Sequence, residues 1–252
     1  MKKLFALTAL LTFFICAEAQ NIVAHRGYWK ENAQNSIASL QKAQAFGCWG
    51  SEFDLHLTAD NFVVVNHDRE IQRTDIQKST FEKVRSFTLK NGEPVPTLEE
   101  YLEQGKKDEN CVLVLELKPH YSPERDDLLI DKCLKALNEA DLLNPQRAVF
   151  ISFSYHICKE LARKLPDFTV QYLEGDKAPA EVKADGIGGI DYHFSKFQKH
   201  PEWVQEAKEL GMSVNAWTVD KPKDIREMIA LGVEQITTND PALVRDLISE
   251  KK

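Results

Sequence analysis

Residues 22–68 read IVAHRGYWKENAQNSIASLQKAQAFGCWGSEFDLHLTADNFVVVNHD. A first strand, Ile22–Ala24, delivers His25 and Arg26 to its C-terminal end, where Gly27 lets the backbone turn away. A helical run from Asn35 to Phe46 follows. The second strand, Gly50–Leu57, carries Glu52 and Asp54 two positions apart. Side chains alternate faces along a strand, so both carboxylates point the same way, and His56 shares their parity. A further extended segment, Phe62 to Asn66, ends on His67 and Asp68.

The rest of the chain repeats this strand-then-helix rhythm. Six more strands are predicted at Cys111–Glu116, Ala148–Phe153, Thr169–Leu173, Gly186–Ile190, Ser213–Trp217 and Gln235–Thr237, several of them apolar throughout, as strands buried on both faces are. Between them lie helical segments. Thr97 and Glu100 form a capping-box pattern that starts a helix to Gln104. Others span Pro123–Ala140, Tyr155–Leu165, Lys177–Lys183, Pro201–Leu210 and Pro222–Leu231, with Gly211 and Gly232 as stop signals, and Asp240-Pro241 opens the last. Arg69–Glu93 reads as a short polar insertion over the mouth, and Tyr192–Phe197 as an aromatic-rich loop. The expected fold is α/β: a single (β/α)8 TIM barrel with a short insertion after the second strand. Active sites of that fold lie at the C-terminal ends of the strands. His25, Glu52, Asp54, Glu116, Lys118 and Trp217 all fall at or near such ends.

The order of motifs resembles the glycerophosphodiester phosphodiesterase family. The matching pieces are His25-Arg26-Gly27, Glu31-Asn32, the E-x-D of Glu52 and Asp54, His67-Asp68, Arg73-Thr74, Pro96-Thr97-Leu98-Glu99-Glu100, Glu116-Leu117-Lys118, Trp217-Thr218-Val219 and the closing run from Gly232 to Pro241. The resemblance covers essentially the whole chain after its first twenty residues. It implies a phosphoric diester hydrolase that converts a glycerophosphodiester to glycerol 3-phosphate and an alcohol. It also implies Glu52, Asp54 and Glu116 as metal ligands, and His25 and His67 as acid and base. Family members that use the glycerol 2-hydroxyl as an internal nucleophile pass through a cyclic phosphate.

The residue chemistry is compatible with this and leaves alternatives. Three inward carboxylates repel one another unless compensated, either by a hard divalent cation, Mg²⁺ or Ca²⁺, or by an ion network with Arg26 and Lys118. Arg26 and Lys118 are suited to holding phosphate oxygens. Trp217 is either a pocket wall or a core aromatic, and Glu31 either supports Arg26 or the metal or is a plain helix-start acid. Two positions depart from the family pattern: Ala33 replaces a threonine, and Asn239 replaces an aspartate after Thr238. Neither is expected to touch metal, acid or base; both bear on substrate preference. Related phosphodiesters, such as lysophospholipids, wall polymers or sugar phosphodiesters, and a catalytically silent binding barrel are the competing readings.

The chain opens MKKLFALTALLTFFICAEAQ, two lysines, an apolar run and an A-x-A site before Gln20, the pattern of a secretory signal peptide over residues 1–19. The expected product is a barrel domain, residues 20–252, periplasmic or secreted and without a stable membrane anchor. The formal charge of −7 becomes −8 once Lys2, Lys3 and Glu18, a net +1, are removed, which argues against nucleic acid as a partner. Cys48, Cys111, Cys133 and Cys158 match no metal-ligand spacing and are expected as buried thiols.

Overall fold

The structure, a computed structural model, describes residues 20–250. The expected signal peptide lies outside the described residues. Eight strands form the framework: β1 Asn21–Ala24, β2 Gly50–Leu57, β3 Val112–Leu117, β4 Ala148–Ser152, β5 Val170–Tyr172, β6 Gly189–His193, β7 Ser213–Trp217 and β8 Gln235–Thr238. Each pairs in parallel with its neighbours in the ring β1-β8-β7-β6-β5-β4-β3-β2, and two register pairs, Val23↔Gly50 and Ala24↔Ser51, close it. At least one helix follows every strand, so the fold is the expected (β/α)8 barrel.

Strand parity assigns the two faces. Phe53, Leu55, Leu57, Leu113, Leu115 and Leu117 join the large core between strands and helices. The alternate positions face the barrel axis, and there the lining divides into two sectors. Val23, Val112, Val114, Val149, Ile151 and Leu173 form one compact apolar cluster. Across from it, β5 to β8 present Gln171, Asp191, Asn215, Gln235 and Thr237, all buried. Here Gln171 Nε2 reaches Ser213 Oγ at 3.0 Å and Gln235 Oε1 at 3.2 Å. The crossing requires a glycine at position 189, where a Cβ would lie 2.8 Å from Gln171 Cγ and 2.2 Å from Ser213 Oγ.

Four differences from the sequence reading have local causes. The first helix is Ile37–Phe46, not from Asn35, because Ser36 caps it by accepting from the Ser39 amide. Asn35 is thereby left outside the helix at φ 57°. The sixth strand begins at Gly189 rather than Gly186, and a short helix, Phe194–Lys199, replaces most of the expected aromatic loop. The insertion after β2 is more ordered than its polarity suggests. Val63–Val65 pairs antiparallel with β2, then come a small hairpin and a helix Phe81–Arg85, around a core of Val64, Ile76, Val84 and Val95. The capping box at Thr97 and Glu100 forms as read, and Arg85 grips the same glutamate at 2.6 Å. All four cysteines of the described chain are buried free thiols.

Candidate active site

At the C-terminal end of the barrel, β2 and β3 lie side by side in the register Glu52↔Val114 and Asp54↔Glu116. That register puts oxygens of Glu52, Asp54 and Glu116 within 4.8 Å of one another, all three side chains buried. Their compensation is asymmetric. Lys118 Nζ stands 2.8 Å from Asp54 Oδ1 and 2.6 Å from Glu116 Oε1. Asp54 Oδ2 also accepts from Asn35 Nδ2 at 2.7 Å, and Arg26 Nε lies 3.8 Å away. Glu52 receives only the Arg26 backbone amide, at 2.7 Å on Oε2; its Oε1 is buried without a hydrogen bond.

The electrostatics follow from this arrangement. Burial, then the charges of Asp54 and Glu116, push Glu52 well above the usual carboxylate range. Burial and Asp54 push Glu116 up to about 8. Burial resists ionisation of Asp54 too, but Lys118 and the Asn35 amide outweigh it and hold that carboxyl low. Two cations thus balance three carboxyls incompletely, and the ion network alone leaves Glu52 Oε1 unsatisfied. An all-oxygen triad with a spare buried acceptor fits a hard divalent cation.

The two histidines face the same cavity, of about 100 Å³, together with Arg26, Glu52 and Glu116. His25 follows β1, and its Nδ1 lies 2.9 Å from Asn239 Oδ1. The roles in that bond can be deduced. Trp29 Nε1, a donor only, also points at Asn239 Oδ1, while Asn239 Nδ2 donates to Asp220 Oδ2 at 2.7 Å. The Asn239 oxygen therefore accepts, His25 Nδ1 carries the proton, and Nε2 is left for chemistry. His67 uses the same device, with Nδ1 at 2.7 Å from an Asp68 carboxylate oxygen. Burial, helped by Arg26, lowers His25 to about 4. Burial also lowers His67, opposed by Asp54.

Residues 25–243 match the Glycerophosphoryl diester phosphodiesterase family. The chain belongs to that family. It is 44% identical to a glycerophosphodiester phosphodiesterase from Parabacteroides distasonis, with a TM-score of 0.90 over 93% of this chain and 98% of that one. A glycerophosphodiester phosphodiesterase from Caldanaerobacter subterraneus is 29% identical over 245 residues, 90% of this chain and 97% of that one. An Oleispira antarctica phosphodiesterase, solved in complex with the product sn-glycerol-3-phosphate, shares the fold at 23% identity and a TM-score of 0.79, over 92% of this chain and 97% of that one.

Against this family frame, the expected residues sort clearly. His25, Arg26, Glu52, His67, Glu116 and Trp217 line one cavity, and Lys118 bridges its Glu116 carboxylate to Asp54 behind it. Trp217 is half-buried in the cavity wall, edge-on to Phe153, its Nε1 tied to the Asp191 carbonyl at 2.8 Å. Glu31 is not brought in. Its side chain is 79% exposed and pairs with Lys42, because the turn before the first helix carries it outward. Gln34 holds Arg26 instead, accepting from Nη1 at 2.8 Å. The expectation for Asn239 is also corrected, since it touches His25 directly. His56 faces inward as its parity requires, but its Nε2 sits 3.2 Å from the His67 carbonyl oxygen, away from the carboxylate triad. Two residues were not singled out from sequence: Asn35, which looked like the first residue of a helix, and Asp191, which lay beyond the expected end of a strand.

Proposed function

We propose that this protein hydrolyses glycerophosphodiesters to glycerol 3-phosphate and an alcohol, that it depends on a divalent cation held by Glu52, Asp54 and Glu116, and that it works as an exported enzyme. The observation that carries the reading is the convergence of two Nδ1-anchored histidines, two cations and the carboxylate triad on one small cavity. When bound, Mg²⁺ or Ca²⁺ would supply Lewis-acid polarisation of the phosphoryl oxygen and acidify a nearby hydroxyl. The export reading rests on residues 1–19 and is checked by cell fractionation.

The protein's own groups account for the remaining steps. Arg26 and Lys118 hold the phosphate oxygens and offset charge developing on them. His67, neutral with Nε2 free, takes a proton from the attacking hydroxyl, which in this reading is the glycerol 2-hydroxyl closing a cyclic phosphate. His25 Nε2 protonates the departing alcohol. It is neutral in the free protein, so it acquires that proton when the anionic phosphodiester arrives beside it and raises its basicity. Water then opens the cyclic ester with the roles reversed.

The test is release of glycerol 3-phosphate from glycerophosphocholine and glycerophosphoethanolamine by residues 20–252, with added Ca²⁺, added Mg²⁺ or a chelator. Turnover that requires the ion supports the reading; a folded protein inert with every ion sinks it. A second expectation concerns the neighbour of His25. Asn239→Leu removes the acceptor that fixes the ring, and kcat should fall about 10- to 100-fold, the usual cost of losing such an orienting bond. Substrate KM and the ion requirement should stay near those of the parent. A kcat within twofold of the parent would show that His25 needs no such partner.

A further inference from the structure

The polar sector of the barrel interior reaches the cavity at Asp191 and Thr237, and of these Asp191 is the one that carries a carboxyl. It is 1% exposed, and its Oδ1 accepts no hydrogen bond. The groups beside it leave that oxygen unpartnered: Asn215, whose amide also acts on the carboxyl, donates through Nδ2 to Thr237 Oγ1 at 2.8 Å, and Trp217 Nε1 is spent on the Asp191 main-chain oxygen. A buried acceptor without a partner is costly. The same barrel fills other inward positions with valine and isoleucine, so filling space does not require a carboxyl there. We propose that Asp191 determines specificity by binding a hydroxyl of the glycerol half of the substrate, on the floor of the cavity.

This inference rests on the phosphodiesterase reading above and names what the floor recognises. Burial pushes the Asp191 carboxyl up to about 8, against the pull of the Asn215 amide. At neutral pH the group is then mostly protonated, and a neutral carboxylic acid offers one donor and one acceptor, the complement of an alcohol. A cationic head group would call for an ionised partner instead. Ile151 and Leu173 flank the same floor with apolar surface suited to a polyol's carbon backbone. The cavity, about 100 Å³, holds a few water-sized groups, which matches a three-carbon unit.

The experiment is calorimetric titration of residues 20–252, with Ca²⁺ present, using glycerol 3-phosphate and n-propyl phosphate, which keeps the chain length and phosphate and lacks both hydroxyls. The parent should bind glycerol 3-phosphate about 10- to 100-fold more tightly, the usual discrimination from one buried hydrogen-bond partner. Asp191→Leu should erase that preference while leaving n-propyl phosphate affinity within about threefold; Asp191→Asn, which keeps a donor and an acceptor, should retain most of it. Equal affinities in the parent overturn the proposal without recourse to any variant, and so does a preference that survives in Asp191→Leu. Glycerophosphocholine turnover, followed in the same preparation, separates the two readings. Turnover without a binding preference removes the role of Asp191 alone, whereas a preference without turnover supports that role and sinks the hydrolytic reading.

Discussion

Glu52→Gln is expected to lower kcat/KM by about 10³-fold, the scale of losing an electrostatic element of a phosphoryl-transfer site, and at the same time to make the ion-free protein more stable. The second half follows from linkage. Burial and two neighbouring carboxylates raise the Glu52 pKa in the folded state above its ordinary value of 4.5. A carboxyl with a raised folded pKa contributes stability that is present below its unfolded pKa and lost as pH rises. At pH 8, in a chelator, the parent bears that loss and the glutamine variant does not. A gain of about 1 kcal/mol corresponds to roughly 2–4 °C in Tm for a domain of this size. Added Ca²⁺ or Mg²⁺ should reverse the order, raising the Tm of the parent and leaving the variant unchanged. Differential scanning calorimetry with and without chelator reads both effects. An equal ion-induced rise in both proteins would place the ion elsewhere.

Removing either histidine, by His25→Ala or His67→Ala, should cost about 10²- to 10⁴-fold in kcat, the range for a positioned acid or base. The ion-induced rise in Tm should survive in both, which distinguishes them from Glu52→Gln. The double variant should be little worse than either single one, since the two groups act on one proton inventory. The pH dependence has a definite direction. A base works with its lone pair free, so kcat/KM falls as pH drops through the His67 pKa. Burial lowers that pKa from 6.5, so the acidic limb should lie below pH 6.5. A limb above that value would remove His67 from the role of base.

The barrel was legible because its strands obey two simple rules. Runs such as Val112–Leu115 are apolar on both faces, and parity along Gly50–Leu57 fixes which carboxylates converge. Pairs of motif residues at strand ends, His25-Arg26 and Glu116 with Lys118, then meet because the ring brings strand ends together. The parts that were not legible have separate causes. On β6 the inward positions are Gly189, Asp191 and His193, and the expected strand, Gly186–Ile190, stops one residue short of the polar Asp191. The residue that caps the cavity floor was hidden by its own polarity. Asn35 escaped for another reason: its left-handed backbone and its bond to Asp54 depend on a partner 19 positions away. Glu31 misled because proximity in sequence to Arg26 says nothing about which way a tight turn points its side chain.

The hydrogen bond between His25 and Asn239 joins residues 214 positions apart. Both belong to the seam where β1 meets β8, the first and last strands of the described residues. Until β8 emerges, β1 has a strand partner on one edge alone, through its two-residue register with β2, and its histidine lacks the Asn239 acceptor that fixes the tautomer. The anchoring of His25 therefore waits for the C-terminal part of the chain, and it arrives in a single late event. In a chain that closes its longest loop last, that event is also the entropically hardest step of folding.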